Sequence, residues 1–265
     1  MLPESFWGRI LYLLEQYGPS FLKGAGNTMI IAIVGTFFGC VIGFAVGIVQ
    51  TIPTDKRDSA VKRGLVGILK FIMACYVEFF RGTPMMAQAM FIFFGSSYLF
   101  GINMSMWFAA FFIVSINTGA YMAETVRGGI LSVDDGQTEA AMAIGMTHVQ
   151  TMVNVILPQA LRNIMPQIGN NLIINIKDTC VLSIIGIVEL FYTTKGVAGA
   201  FYTYFEAFSI AMVIYFIMTF ACSRLLRLLE RRMDGPDNYD LATTDTLTHT
   251  SGMYSYSKKK GEDQR

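Results

Sequence analysis

Lys177 and Asp178 stand side by side in an apolar run from about Ile164 to Leu190, and Glu78 and Arg81 interrupt another from about Leu65 to Gly95. A charged side chain at the centre of a membrane helix costs about 2.5 to 3.5 kcal/mol on insertion scales and usually faces a partner or a water-filled path. Such groups hold charge rather than break bonds. Glu78 and Arg81 are three residues apart, so on a helix they share a face and can pair. Lys177 and Asp178 are adjacent, about 100° apart around a helix, so they point in different directions. Two readings stay open for each couple: a structural ion pair, or part of a path for a polar solute. For the second couple the structural partners would be Glu124 or Glu78 for Lys177, and Arg81 or Arg127 for Asp178.

Covalent chemistry finds no support. The 265 residues contain no G-x-x-x-x-G-K followed by Ser or Thr, no nucleophile elbow and no H-E-x-x-H, so neither a P-loop nor a zincin-type or serine-hydrolase centre is expected. His148 and His249 lie far apart without partner ligands, and Cys40, Cys75, Cys180 and Cys222 each sit in an apolar run without a C-x-x-C pair. No catalytic residue, no metal and no cofactor is expected in this chain.

The elements that must carry these charges follow from composition. The chain is 53% hydrophobic and 15% charged, with a mean hydropathy of +0.48. That is too few charges for an ordinary soluble domain, so an all-α polytopic membrane protein is expected. The net charge of +1, without a basic stripe, argues against nucleic acid as a partner.

Five spans are expected, at about Asn27–Thr51, Leu65–Gly95, Ser105–Val126, Ile164–Leu190 and Phe205–Leu226. The first carries Gly35, Gly39, Gly43 and Gly47, a small-residue stripe on which another helix can pack closely. The second should break at Gly82-Thr83-Pro84. Lys56, Arg57, Lys62 and Arg63 follow the first span, and Arg224, Arg227, Arg231 and Arg232 end the last. By the positive-inside rule both clusters are cytoplasmic, which puts the N-terminus outside and the C-terminus inside. A turn at 95–103 and a polar loop from Tyr192 to Tyr204 then lie outside. Residues 1–23 lack the basic start and cleavage site of a signal peptide and read as an amphipathic helix at the membrane surface. Residues 24–233 form the transmembrane domain, and 234–265, rich in polar and charged residues, read as a disordered cytoplasmic tail.

Between the third and fourth spans, from about Arg127 to Pro158, lies a polar segment. Turn residues and a candidate Asp N-cap lead into the Ala-rich helix Glu139-Ala-Ala-Met-Ala-Ile-Gly145, and Val155-Ile-Leu-Pro158 follows. Ala140, Ala141 and Gly145 would let a partner approach closely, and Pro158 would open a new helical direction. This spacing resembles the cytoplasmic coupling loop of permease subunits of binding-protein-dependent ABC importers, with Val155 where that family usually carries Ile.

Three further stretches resemble the polar amino acid branch, the histidine/glutamine permease-like family: Glu78-Phe-Phe-Arg-Gly-Thr-Pro84, Ala120-Tyr-Met-Ala-Glu-Thr-Val-Arg-Gly-Gly-Ile130 and Ile176-Lys-Asp-Thr-Cys-Val-Leu182. The last has Cys180 and Val181 where Ser and Leu are usual. The resemblance spans about Gly24 to Met233 and implies a five-helix type I permease in the bacterial cytoplasmic membrane. It also implies an ABC ATPase subunit dimer that binds ATP and Mg, a second permease subunit, identical or paralogous, and an extracytoplasmic binding protein. The cargo would be a polar or charged amino acid, moved by alternating access. Glu139, Ala140, Ala141, Gly145, Leu157 and Pro158 would couple to the ATPase, with Glu139 either meeting it or capping its own helix. Glu78, Arg81, Asn117, Tyr121, Glu124, Lys177, Asp178 and Thr179 are the candidates for the substrate path or gate. A secondary transporter is disfavoured because no internal repeat is visible, and a membrane enzyme or receptor because there is neither a catalytic cluster nor a cytoplasmic domain.

Overall fold

The computed structural model describes residues 3–53 and 59–233, the side chains of 230–233 excepted; the tail 234–265, Lys56 and Arg57 lie outside the described residues. The chain is all-helical there: α1 (Phe6–Thr51), α2 (Ala60–Gly82), α3 (Met85–Phe100), α4 (Met106–Leu131), α5 (Asp135–Ala143), α6 (His148–Thr151), α7 (Leu157–Asp178), α8 (Leu190–Phe201) and α9 (Tyr204–Met233). A π turn at Met152–Ile156 joins α6 to α7, and a 3₁₀ stretch at Thr179–Ile185 follows α7.

Ser5 caps α1 by accepting a bond from the Gly8 amide at 3.0 Å, and the helix then runs 46 residues without a break. Residues 6–23 and the first apolar run therefore share one helix. Its N-terminal part finds partners within the chain. Leu13 and Phe21 are buried among Leu190, Val197, Ala207 and Ile210 of α8 and α9, and Arg9 pairs with Glu206 at 3.1 Å. Trp7, Leu11 and Leu14 remain exposed.

The small-residue stripe of α1 lies directly on α4. A Cβ built on Gly35 would come within 2.3 Å of Val114, on Gly39 within 2.6 Å of Thr118, on Gly43 within 2.3 Å of Met122 and on Gly47 within 2.7 Å of Val126. Both helices contribute every fourth residue, so one ridge faces another along four turns and the absent side chains set the separation. A buried polar knot ties α7 to the same seam: the Asn175 amide donates to Thr36 Oγ1 at 2.7 Å and to Thr118 Oγ1 at 3.0 Å.

The expected second span is two helices. Thr83, which precedes Pro84, is extended (φ −121, ψ 147), the conformation that a following proline imposes, and it ends α2. Gln88, 4% exposed, stitches the break by donating to the carbonyls of Phe80 and Thr83, both at 2.9 Å. The division corrects the expectation of five spans. Among the described residues three helices, α1, α4 and α9, are long and apolar enough to cross a membrane, and a fourth crossing arises if the bent pair His148–Ile185 and Leu190–Phe201 is one span. Five are not found, because the break leaves an α2 that carries Lys62, Arg63, Lys70, Glu78 and Arg81 and an apolar α3 of only 16 residues.

Two other expectations change. Pro158 does not open a new direction, since helical structure continues through it. The preceding π turn, closed by the Leu157 amide on the Met152 carbonyl, accommodates the proline's missing N–H and its ring. The segment Tyr192–Tyr204 is mostly helix α8 rather than a polar loop, because Glu189 caps it, accepting from the amides of Phe191 and Tyr192 at 2.9 and 2.6 Å. The turn of the chain comes earlier, at Gly186 (φ +87), and gives the bent pair its 56° angle.

Over-packing typically costs about 1 to 3 kcal/mol, and at Gly43 the added methyl would also lie 2.9 Å from the Ala123 backbone nitrogen. Gly43→Ala is expected to lower the melting temperature in detergent by several degrees, whereas Gly26→Ala on the same helix, where nothing lies within 4 Å, should not. Equal melting of the two variants would show that the α1–α4 seam does not set the packing.

Candidate functional site

The polar segment between α4 and α7 folds as two short helices in a tight turn. Of the two adjacent aspartates that could serve as the expected cap, Asp134 caps α5, its Oδ1 accepting the Gly136 amide at 2.7 Å. At the other end Gly145 is left-handed (φ +84), with its amide on the Met142 carbonyl at 2.9 Å and the Met146 amide on the Ala141 carbonyl at 3.1 Å. These two bonds make a Schellman cap, so the backbone of this chain already requires the glycine. Thr147 and Gln150 then form a capping box that starts α6.

The six coupling candidates separate by exposure. Glu139, Ala140, Gly145 and Pro158 are exposed, whereas Ala141 is 3% exposed and Leu157 is partly buried against the cluster of Met122, Val126 and Ile156. Ala141 therefore packs inward. Met142, Ile144, Val149 and Val153 extend the outward surface, with Ile144 80% exposed. The result is a compact apolar knob with Glu139 on it.

The eight path candidates fall into two cavities and a remainder. Asn117, Tyr121 and Asp178 line a cavity of about 380 Å³, together with Thr83, Thr118, Asn171 and Asn175. Glu78, Arg81 and Glu124 line a second of about 350 Å³, together with Gln50, Lys70 and Arg127. Arg81 stands between them, its guanidinium 5.8 Å from the centre of the Tyr121 ring and 3.8 Å from the Glu124 carboxylate. Lys177 is exposed and lines neither cavity. Thr179 is buried, with its hydroxyl on the Ile176 carbonyl at 3.0 Å.

The ion pairs differ from those weighed on the sequence. Arg81 reaches across to Glu124 on α4, where Arg127 also binds the carboxylate, instead of pairing with Glu78 one turn away. Among the described residues neither Lys177 nor Asp178 takes any of the partners considered for it.

Several polar residues that sequence reasoning passed over are central. Gln88 accepts from the Asn117 amide on its Oε1 at 2.9 Å and so fixes the first cavity's wall to the α2–α3 break. Asn171 and Asn175, one turn apart on α7, were a readable sign of a polar face. Glu189 is fully buried and accepts from the Tyr215 hydroxyl at 3.0 Å and from Thr28 at 3.4 Å, joining α1 and α9 to the start of α8. A lone carboxylate among Ile187, Val188, Leu190 and Phe191 was its only sequence signal.

Comparison with known proteins places this geometry in a family. The chain is 36% identical over 216 residues to the glutamine transport system permease protein GlnP of Escherichia coli (strain K12), covering 81% of this chain and 93% of that protein. It is 31% identical to the arginine transport system permease protein ArtQ of Bacillus subtilis (strain 168), over 83% of this chain and 94% of the relative. The crystal structure of an amino acid ABC transporter with histidines superposes with a TM-score of 0.72 at 35% identity, over 83% of this chain and 96% of that one. An inward-facing MetNI methionine ABC transporter shares the fold, with a TM-score of 0.63 at 20% identity, over 81% and 98% of the two chains. Residues 59–235 match the family described as binding-protein-dependent transport system inner membrane component. With its apolar helices, its α1–α4 seam and this match over most of its length, the chain is a multi-pass membrane protein that belongs to that family.

Proposed function

We propose that this chain is the permease subunit of an ATP-driven importer that passes a polar or charged amino acid across the bacterial cytoplasmic membrane. The observation that carries the reading is the likeness, over more than four fifths of the chain, to permeases named for glutamine and arginine transport. The cavity lined by Asn117, Thr118, Tyr121, Asn171, Asn175 and Asp178 supports it, because amide and hydroxyl groups around one carboxylate can replace the water around an ammonium or a polar side chain. Chemistry on the cargo is no part of this function. Energy comes from a separate ATPase dimer that holds ATP and Mg.

In this reading α5 and α6 are the coupling element that seats on the ATPase, with Glu139, Ala140, Met142 and Ile144 outward. Ala141, Gly145, Leu157 and Pro158 hold the element in shape. Lys62 and Arg63 at the start of α2, and Arg224 and Arg227 near the end of α9, support a cytoplasmic position for the end of the bundle that carries α5. The N-terminus then lies outside, the segment 1–23 borders the outer membrane surface, and the tail 234–265 is cytoplasmic. A second permease subunit, identical or paralogous, completes the path on the face that bears Lys177 and Asp178. An extracytoplasmic binding protein delivers the cargo from outside.

Reconstitution with the ATPase and binding protein should give ATP-dependent uptake of glutamine or of a basic amino acid. Failure of every polar and charged amino acid in a panel would reject the importer assignment. Ala140 is exposed, so Ala140→Trp should leave the subunit folded while reducing ATPase co-purification and uptake at least tenfold; wild-type values for both would remove α5 from the docking role. At Gly145, Asn tolerates the left-handed backbone and Val does not. Gly145→Asn should therefore keep most uptake and Gly145→Val lose it, and equal uptake by the two would contradict a conformational role for the glycine.

A further inference from the structure

The second cavity lies at the end of the bundle that carries α5. Gln50 is in the last turn of α1, and Arg127 is one turn before the end of α4, whose exit leads to α5. Five of the residues that line it are charged, three cations and two carboxylates. Only part of this charge is used internally: Glu124 is held by Arg127 and Arg81, and among the described residues Lys70 and Glu78 take no part in an ion pair. Lys70 and Glu78 are eight residues apart on α2, about two turns and roughly 12 Å along the axis, and both line the cavity. Gln50 also lines the cavity, and its side-chain Oε1 is buried without a hydrogen-bond partner. Buried carbonyl oxygens are normally satisfied, and this one stays unpaired in a residue of the cavity wall.

We propose that this cavity is a second binding site for a free amino acid, distinct from the one lined by Asp178 and entered from the side that bears α5. A basic amino acid brings a side-chain cation for Glu78 and, at the other end of its chain, an α-carboxylate for Lys70. A solute of single charge would leave Lys70 or Glu78 without a counter-charge. Arg81, between the Tyr121 ring and Glu124, divides the two cavities, so a solute leaving the first toward the α5 end meets the second next. The assignment rests on the importer reading above and adds to it a site on the release side, where the accumulated product would bind.

The test is equilibrium binding of radiolabelled arginine and glutamine to the permease–ATPase complex in nanodiscs without binding protein, on an Asp178→Asn background that weakens the first cavity. Saturable binding should persist, and Lys70→Met and the near-isosteric Glu78→Gln should each raise its Kd about tenfold or more, with melting temperatures unchanged. Absence of saturable binding, or a Kd indifferent to both substitutions, would overturn the second site. Uptake by the wild-type complex is measured in parallel. Uptake without a Lys70- and Glu78-dependent site rejects this inference alone, whereas no uptake of any amino acid rejects the importer reading itself.

Discussion

The close approach of α1 to α4 is the constraint on which the rest of the molecule depends. Inside a bilayer the lipid tails are as apolar as the side chains, so helices are held by contact and hydrogen bonding rather than by expulsion of water. Gly35, Gly39, Gly43 and Gly47 convert that weak driving force into a long seam by letting the α4 side chains rest on the α1 backbone. Thr36 and Thr118 are thereby brought within reach of a single amide, that of Asn175, which fixes the third helix of the core. Displacing the seam would lose dispersion contacts and leave buried donors and acceptors unpaired together.

Charge is handled in two ways. Some ionisable groups between helices of the same subunit are paired: Arg81 and Arg127 share Glu124, and Arg9 meets Glu206 across the far end of the bundle. Pairing reduces the penalty of removing each from water, though half-exposed pairs of this kind contribute little to stability by themselves. Lys177 and Asp178 are treated differently. Both are exposed on the surface of the subunit at the end of α7, and a lipid-facing position would be costly for either. The physical solution for such a face is water or protein against it.

Irregular backbone interrupts the helices in three places, the first of which, at Thr83 and Pro84, lines the first cavity. The α2–α3 break, the π turn before Pro158 and the 3₁₀ stretch with Gly186 each free backbone groups that an uninterrupted helix would satisfy. In two of these places a buried side chain closes the account. Gln88 takes the carbonyls at the first break, and Glu189 takes the amides that open α8 while Tyr215 and Thr28 complete its shell. Both are fixed on more than one element, so these irregular stretches are pinned rather than loose.

Local chemistry was enough to read part of this from the sequence. The four-residue glycine period announced a close helix contact, Thr83-Pro84 announced a break, and the pair Asp134-Asp135 announced a cap, because each depends on the steric or hydrogen-bonding property of a residue and its immediate neighbours. The Ala-rich segment before Gly145 and the charged motifs also carried the family resemblance. Tertiary structure decided what those local signals could not. It chose Glu124 over Glu78 as the partner of Arg81, sent Ala141 inward and Ala140 outward, kept α1 whole, divided the second span and turned an expected loop into α8. It also distributed one group of path candidates between two cavities and buried Thr179 away from both. Each of these outcomes depends on which residues distant in sequence meet in space, and a helical period does not encode that: it gives the direction of a side chain around its own axis, not the identity of the helix that lies there.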